Sequence, residues 1–201
     1  MINDDVEYQY WQTADPDELW AMDKLILARK MGYRCGPAGL PVDAPGEYIV
    51  RPCVNAMGLG LGTEKKYLER NTEHLEPGYF WCEFFTGRHL SVDYYYGEQH
   101  LCIEGFKSPD TFTTWDRWVR VDDQIPLPSI LEQFKHKEWM NCEYIGGKLI
   151  EAHFRINPNF TLIPNMEEFI PVWIEDEIDP PDGYDYVECL GLHGRVGAYI
   201  R

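Results

Sequence analysis

Basic charge is what this sequence is short of. Its 201 residues carry 18 Lys and Arg against 34 Asp and Glu, for a formal net charge of −16. Binding a nucleic-acid backbone needs clustered Lys and Arg, so unaided nucleic-acid binding is not expected. A bound divalent cation would offset that charge locally, though not over the whole surface. No apolar run approaches the length of about 20 residues that spans a bilayer, so no membrane association is expected. There is no C-x-x-C. The six cysteines, at positions 35, 53, 82, 102, 142 and 189, are scattered. Several fall in apolar segments, where a free Cys behaves as a small buried hydrophobe. The expectation is a reduced, cytoplasmic setting, with neither a disulfide framework nor a zinc site. The opening MINDDVEYQYWQ lacks a basic stretch followed by an apolar one, so it does not read as a secretory signal. Without that signal the Asn159-Phe160-Thr161 sequon carries no weight. Internal repeats and low-complexity segments are also missing.

Aromatic side chains are plentiful, with 13 Tyr, 9 Phe and 7 Trp, which marks a globular chain despite its charge. The length suits one core, or one domain made of two lobes. Residues 1–14 read as an arm that either packs on the body or stays loose. Asp15, Pro16 and Glu18 look like an N-cap, N1 and N3 opening a helix over LWAMDKLILARKM, and Gly32 looks like its stop. A turn-rich link leads to the strand GEYIVRPCV, then to the glycine loop NAMGLGLGTE. EKKYLERNTEHL reads as a short helix or turn. GYFWCEFF and HLSVDYYY read as two strands joined by a tight connection at Thr86-Gly87-Arg88, and QHLCIEG as another. TFTTWDRWVRV reads as a strand region, PSILEQFKHKEW as a helix, and EWMNCEYI with KLIEAHFRI as a hairpin around Gly146-Gly147. The stretch Met166–Glu188 holds nine acidic residues and no Lys or Arg, interleaved with Phe169, Val172 and Trp173, so it is expected to pack. GLHGRVGAYIR reads as the final strand.

The chemistry concentrates in LIEAHFR. Glu151, His153 and Arg155 alternate with Ile150, Ala152 and Phe154, which puts the three polar groups on one strand face. They form either a solvated face or a site for a metal ion and an anion side by side. Across the hairpin, the loop length decides the fate of Glu143. A three-residue Gly146-Gly147-Lys148 loop would set Glu143 opposite Glu151, close enough to share magnesium. A two-residue turn would pair Glu143 with Ile150 and send it to the other face. Gly58, Gly60 and Gly62 could close backbone N–H groups over phosphates, or simply form a mobile turn. Lys24 and Arg51 are the basic residues best placed to meet phosphate, and the plain alternative for each is a surface charge or salt-bridge partner.

Taken in order, these features resemble the ATP-grasp superfamily. Met22-Asp23-Lys24-Leu25 followed by GYRCGP, the strand YIVRP, the loop MGLGLG, the segment CEFFTGRHLSVD and the strand IEAHFR carry the likeness, which runs from about Met22 to Arg155. The resemblance implies an α+β fold of two small lobes, each an antiparallel sheet with flanking helices. The arm would occupy 1–14, a lobe with the glycine loop 15–80, and a lobe with the metal hairpin and acidic segment 81–201. It implies a compact, divergent form without the front substrate domain. It also implies a ligase that joins a carboxylate to an amine or thiol through an acyl-phosphate, or a kinase-type relative that stops at phosphorylation. ATP and Mg2+ or Mn2+ are the implied cofactors. Lys24, Arg51, Gly58, Gly60, Gly62, the backbone around Glu83 and Phe85, and His89 would hold the nucleotide. Glu143, Glu151 and His153 would hold the metal, and Arg155, with Lys24, would act on the transferred phosphoryl group. Arg117 is a further possible phosphate contact. Arg51, His89 and His153 stand where the family usually has Lys, Glu and Asn. For His153 this leaves manganese tolerance, coordination through Glu151 alone and a decayed site as open readings. The other class of function is a non-catalytic one: a nucleotide-binding pseudoenzyme, or an acidic module for a basic protein partner.

Overall fold

The computed structural model describes residues 6–54, 60–108, 115–157, 160, 165–188 and 194–201. Helix α1 (Val6–Thr13) leads through a 3-10 turn (Leu19–Ala21) to α2 (Lys24–Lys30). Asp23 starts α2, its side chain accepting from the Ile26 N–H at 2.9 Å. The single helix expected over LWAMDKLILARKM is therefore broken at Asp23, because that carboxylate caps a new helix instead of continuing the old one. Asp15 caps nothing longer than a turn, accepting from the Asp17 N–H at 3.0 Å. Gly32, at φ 77°, ends α2 as expected.

Strands β1 (Cys35–Pro37), β2 (Gly46–Pro52), β3 (Glu64–Leu68) and β4 (Tyr79–Glu83) form an antiparallel sheet in the order β1-β4-β2-β3. β3 replaces the helix or turn expected over EKKYLERNTEHL. Pairing with the β2 edge, from Gly46↔Leu68 to Val50↔Glu64, overrides the helical propensity of its Glu, Lys and Leu. The second sheet contains β5 (His89–Tyr95), β6 (Glu98–Phe106), β7 (Arg117–Arg120), β8 (Trp139–Ile145), β9 (Lys148–His153), β10 (Glu168–Trp173), β11 (Asp185–Glu188) and β12 (Arg195–Ile200). Its order is β11-β12-β10-β7-β6-β5-β8-β9, antiparallel throughout. The fold is thus α+β and dominated by sheet. β4 and β5 belong to different sheets, so residues 84–88 cross between them, a little beyond the boundary expected after residue 80. The helix expected after Pro128 is a 3-10 helix, Ser129–Phe134.

Alternation along the strands of the larger sheet separates two faces. One buries Leu90, Val92, Tyr94, Met140, Cys142, Tyr144, Leu149 and Ala152 against Ala21, Met22, Leu27, Leu131 and Phe134. The other is apolar only toward β6, β7 and β10, where Leu101, Ile103, Trp118 and Phe169 pack with Phe160 and Met166. On β5, β8 and β9 that second face carries His89, Ser91, Asp93, Asn141, Glu143, Glu151 and His153. Helix α2 ties the sheets together: Leu27 packs with the larger sheet, while Ala28 packs with Phe80 and Cys82 of the smaller one.

Candidate active site

Glu143 and Glu151 are directly opposed across the β8–β9 hairpin, by a route that neither loop length alone provides. The turn has two residues, Gly146 and Gly147 at φ 55° and 76°, with Ile145 paired to Lys148 and Tyr144 to Leu149. That register would send Glu143 to Ile150. A bulge between Glu143 and Tyr144 makes Ile150 the extra residue and restores the Glu143↔Glu151 pair. A bulge residue's carbonyl falls out of the ladder, and here the Ile150 carbonyl accepts from Arg51 Nη2 at 2.9 Å. Gly146 is required twice over. Its positive φ favours glycine, and a side chain there would collide with the Thr86 carbonyl.

Arg51 reaches this hairpin from β2. It shares a face with Ile49 and pairs with Phe80, whose ring lies 5.4 Å from its guanidinium carbon. Its Nη1 donates to Glu151 Oε1 at 2.9 Å. Lys24, the first residue of α2, places Nζ 3.1 Å from the same oxygen. The Lys24 N–H donates to the Cys53 carbonyl at 2.7 Å, tying the start of α2 to the residue that follows β2. The other Glu151 oxygen, Oε2, lies 3.3 Å from His153 Nε2. Lys24, Arg51 and His153 are all buried. Burial would raise the Glu151 pKa, but Lys24, the His153 hydrogen bond and Arg51 together hold it well below the usual carboxylate range. Donor atoms of Glu143, Glu151 and His153 lie within 4.8 Å of one another, a spacing that suits one metal ion.

His89 belongs to this cluster too, with Nε2 3.0 Å from Glu143 Oε2 and its ring edge-on to Trp115 at 4.3 Å. One row further along the sheet, Asp93, Asn141 and His153 lie side by side. Asn141 Nδ2 donates to Asp93 Oδ1 and to Ser91 Oγ, both at 2.8 Å. The Asn157 N–H donates to both Asp93 oxygens, at 2.9 and 3.1 Å, which pins the turn that follows β9. Burial pushes the Asp93 carboxyl above its usual range, against the opposing pull of Asn141, Asn157, Arg155 and His100. Arg155 sits in this turn and not on the strand: β9 ends at His153, and Arg155 Nη1 donates to the Ile156 carbonyl at 3.0 Å. The expectation of three polar residues alternating on one strand therefore holds for Glu151 and His153 only.

The structure thus gathers Lys24, Arg51, His89, Glu143, Glu151 and His153. Glu83 is engaged elsewhere, its Oε1 accepting from the Arg34 N–H at 2.9 Å and its own N–H donating to the Arg34 carbonyl. Phe85 lies in the 84–88 crossing, edge-on to Tyr33 at 4.8 Å. Gly60 and Gly62, at φ 64° and 77°, form the tight turn entering β3, and Gly58 lies outside the described residues. Arg117 pairs with Glu168 at 3.2 Å. Ser91, Asp93 and Asn141 escaped the sequence reading. The alternation of His89-Leu90-Ser91-Val92-Asp93, matched by Asn141-Cys142-Glu143, was the signal that could have found them.

No protein-family model matches the sequence, and no curated protein does. Among solved structures the chain is similar to one described as a putative ATP-grasp superfamily protein from Archaeoglobus fulgidus, at 14% identity and TM-score 0.48 over 90% of this chain. It is also similar to the ATP-grasp ligase PsnB complexed with minimal precursor, at 14% identity and TM-score 0.44 over 77% of this chain. The D-alanine–D-alanine ligase from Bacillus anthracis complexed with ATP is matched at 13% identity and TM-score 0.38 over 75% of this chain. The chain spans 63%, 61% and 62% of these three proteins respectively.

Proposed function

We propose that this cluster is the phosphate-and-metal edge of an ATP-dependent ligase that joins a carboxylate to an amine or thiol through an acyl-phosphate. One observation carries the reading: two buried cations meet a buried carboxylate that stands opposite a second carboxylate. Like charges opposed across a hairpin repel unless a cation lies between or beside them. Two carboxylates and an imidazole fit a divalent cation, and the imidazole makes Mn2+ at least as suitable as Mg2+. Bound there, such an ion would neutralise charge on a transferring phosphoryl group.

The chain's own residues supply positioning and charge. Lys24 and Arg51 would meet the phosphate oxygens, and Glu143, Glu151 and His153 would hold the ion. Gly60 and Gly62 would cover the phosphates, and Phe85 and His89 would flank the nucleotide. In the first step a carboxylate oxygen of the substrate attacks the γ-phosphorus, the bond from that phosphorus to the β–γ bridging oxygen breaks, and ADP leaves. In the second, the amine or thiol attacks the acyl carbon, the carbon–oxygen bond to phosphate breaks, and the nucleophile's proton goes to solvent. Arg155, held beside Asp93, steadies the charge on the transferred group. The five described cysteines are free, which supports a reducing, cytoplasmic setting.

A second reading is favoured by Lys24, Arg51, Glu151 and the opposed Glu143, whose formal charges sum to zero without any ligand: a non-catalytic interaction protein or pseudoenzyme. Thermal shift of the full chain separates the two readings. ATP with Mn2+ or Mg2+ is expected to raise Tm more than either component alone. No shift with either metal would remove the ligase and the nucleotide-binding pseudoenzyme together.

A further inference from the structure

The smaller sheet sets two thiols against each other at its edge. Cys35 of β1 pairs with Cys82 of β4, and Cys82 pairs in turn with Ile49 of β2. On either side of that pair, the Glu83 N–H donates to the Arg34 carbonyl and the Ala38 N–H to the Tyr79 carbonyl, both at 2.9 Å. Hydrogen-bonded positions on β1 are therefore the even-numbered ones, and Cys35↔Cys82 is a non-hydrogen-bonded pair. Pro37, two residues on, fits that parity because it has no N–H to give. In such a pair the Cα atoms lie about 4.5 Å apart with the side chains close together, within the span of a disulfide. Both thiols join the apolar cluster formed with Ala28 of α2, Ile49 and Phe80. The other described cysteines lack this arrangement. Cys53 lies four residues beyond Ile49, about 13 Å further along the strand direction. Cys102 and Cys142 pair with Val92 from opposite sides, which separates them by two strand spacings, about 9–10 Å.

We infer that Cys35 and Cys82 form a redox modification site: a dithiol under reducing conditions that a small disulfide oxidant, such as glutathione disulfide, closes into a cross-strand bond. The site stands apart from the ligase reading. Cys82 is 2% exposed and Cys35 only half-buried, so Cys35 meets the oxidant first. Its thiolate attacks one sulfur of glutathione disulfide, the S–S bond breaks, and one glutathione thiolate leaves. The Cys82 thiolate then attacks the Cys35 sulfur, and the second glutathione thiolate leaves. The two protein thiols lose two electrons to the oxidant, and their two protons pass to the released thiolates. Burial pushes the Cys82 thiol up to about 12 against the pull of Arg51, and raises the Cys35 thiol against that of Arg29. Thiols held that high react slowly, so the pair answers sustained oxidation and ignores a brief pulse. Closure draws the strands slightly together, which β1 allows because it is three residues long and lies at the sheet edge. The bond then fastens β1 to β4 on the face that carries Phe80 and Arg51.

Incubating the full native chain with glutathione disulfide, blocking the remaining thiols and mapping peptides without reduction tests this. A Cys35–Cys82 cross-link is expected, with a rise in Tm of about 5–10 °C that dithiothreitol reverses. Cys53→Ala should close as the native chain does, whereas Cys35→Ala and Cys82→Ala should show neither the bond nor the rise. The cross-link is read on the native chain, so the result holds even where Cys82→Ala folds poorly. Glutathione that stays attached at Cys35, a bond from either residue to another cysteine, thiols that all remain free, or closure that leaves Tm unchanged would each overturn the site. None of these outcomes depends on whether the chain binds ATP or a metal ion.

Discussion

Replacing Glu151 with Gln keeps the shape of the side chain and removes the charge that lies between two buried cations. The side chains of Lys24, Arg51 and Glu151 are only 4%, 8% and 12% exposed, so water replaces little of what is lost. Breaking a buried ion pair by removing one partner costs about 3–5 kcal/mol. Gln retains an oxygen that can still accept from Arg51 and Lys24, which argues for the lower end, about 3 kcal/mol. For a chain of this length that corresponds to a fall in Tm of about 6–12 °C, measurable by calorimetry. A metal-and-phosphate site adds a sign that a purely structural ion pair would not. With Glu151 neutral, Lys24 and Arg51 are left seeking anions, so metal-free tripolyphosphate should bind Glu151→Gln better than the native chain. At about a hundred times its Kd, it would restore about 2.7 kcal/mol. The assay is a pair of melting curves in chelator, with and without tripolyphosphate. A variant within about 0.5 kcal/mol of the native chain would refute the buried-triad argument, because substitutions away from such features have effects of that size. Identical responses of the two proteins to tripolyphosphate would refute the exchange of partners.

Three further outcomes follow from the same geometry. Arg51→Lys keeps the charge but not the fork that holds Glu151 and the Ile150 carbonyl together, and should cost about 1–2 kcal/mol in chemical denaturation; no loss would show that the bulge stands without it. Gly146→Ala places a side chain at φ 55° against the Thr86 carbonyl, and should destabilise by about 1–3 kcal/mol, whereas Gly147→Ala, with open space around it, should cost less. The depressed Glu151 pKa is a pH statement. Its folded value lies below the ordinary 4.5, so its contribution is complete above that pH and is lost as pH falls through the folded value. An acid titration of stability should therefore fall less steeply below about pH 4.5 in Glu151→Gln than in the native chain.

How far the site was legible depended on the range of the interactions that build it. Strand alternation is local, so β2, β8, β9 and the pairing of Glu151 with His153 on one face could be read from residue order. The opposition of Glu143 and Glu151 could not be settled that way. It depends on a bulge at Ile150, and the Ile150 carbonyl is held by an arginine 99 positions away in sequence. The break at Asp23 was missed because an Asp inside an amphipathic run is compatible with a helix until its side chain finds the Ile26 N–H. The β3 strand was missed because its composition favours helix, and only the β2 edge selects otherwise. Arg155 kept the spacing of a strand residue, but the bonds from Asn157 to Asp93 end the strand before it.

In the proposed site Glu143, Glu151 and His153 hold a metal ion while Lys24 and Arg51 hold the phosphates beside it. The most direct measurement is Mn2+ binding by electron paramagnetic resonance on the full chain, with and without ATP. One tightly held Mn2+ is expected, with an affinity that rises when ATP is added and an ATP enhancement that disappears in Arg51→Ala. Mn2+ that binds no better with ATP than without it, or an enhancement that survives in Arg51→Ala, would contradict it.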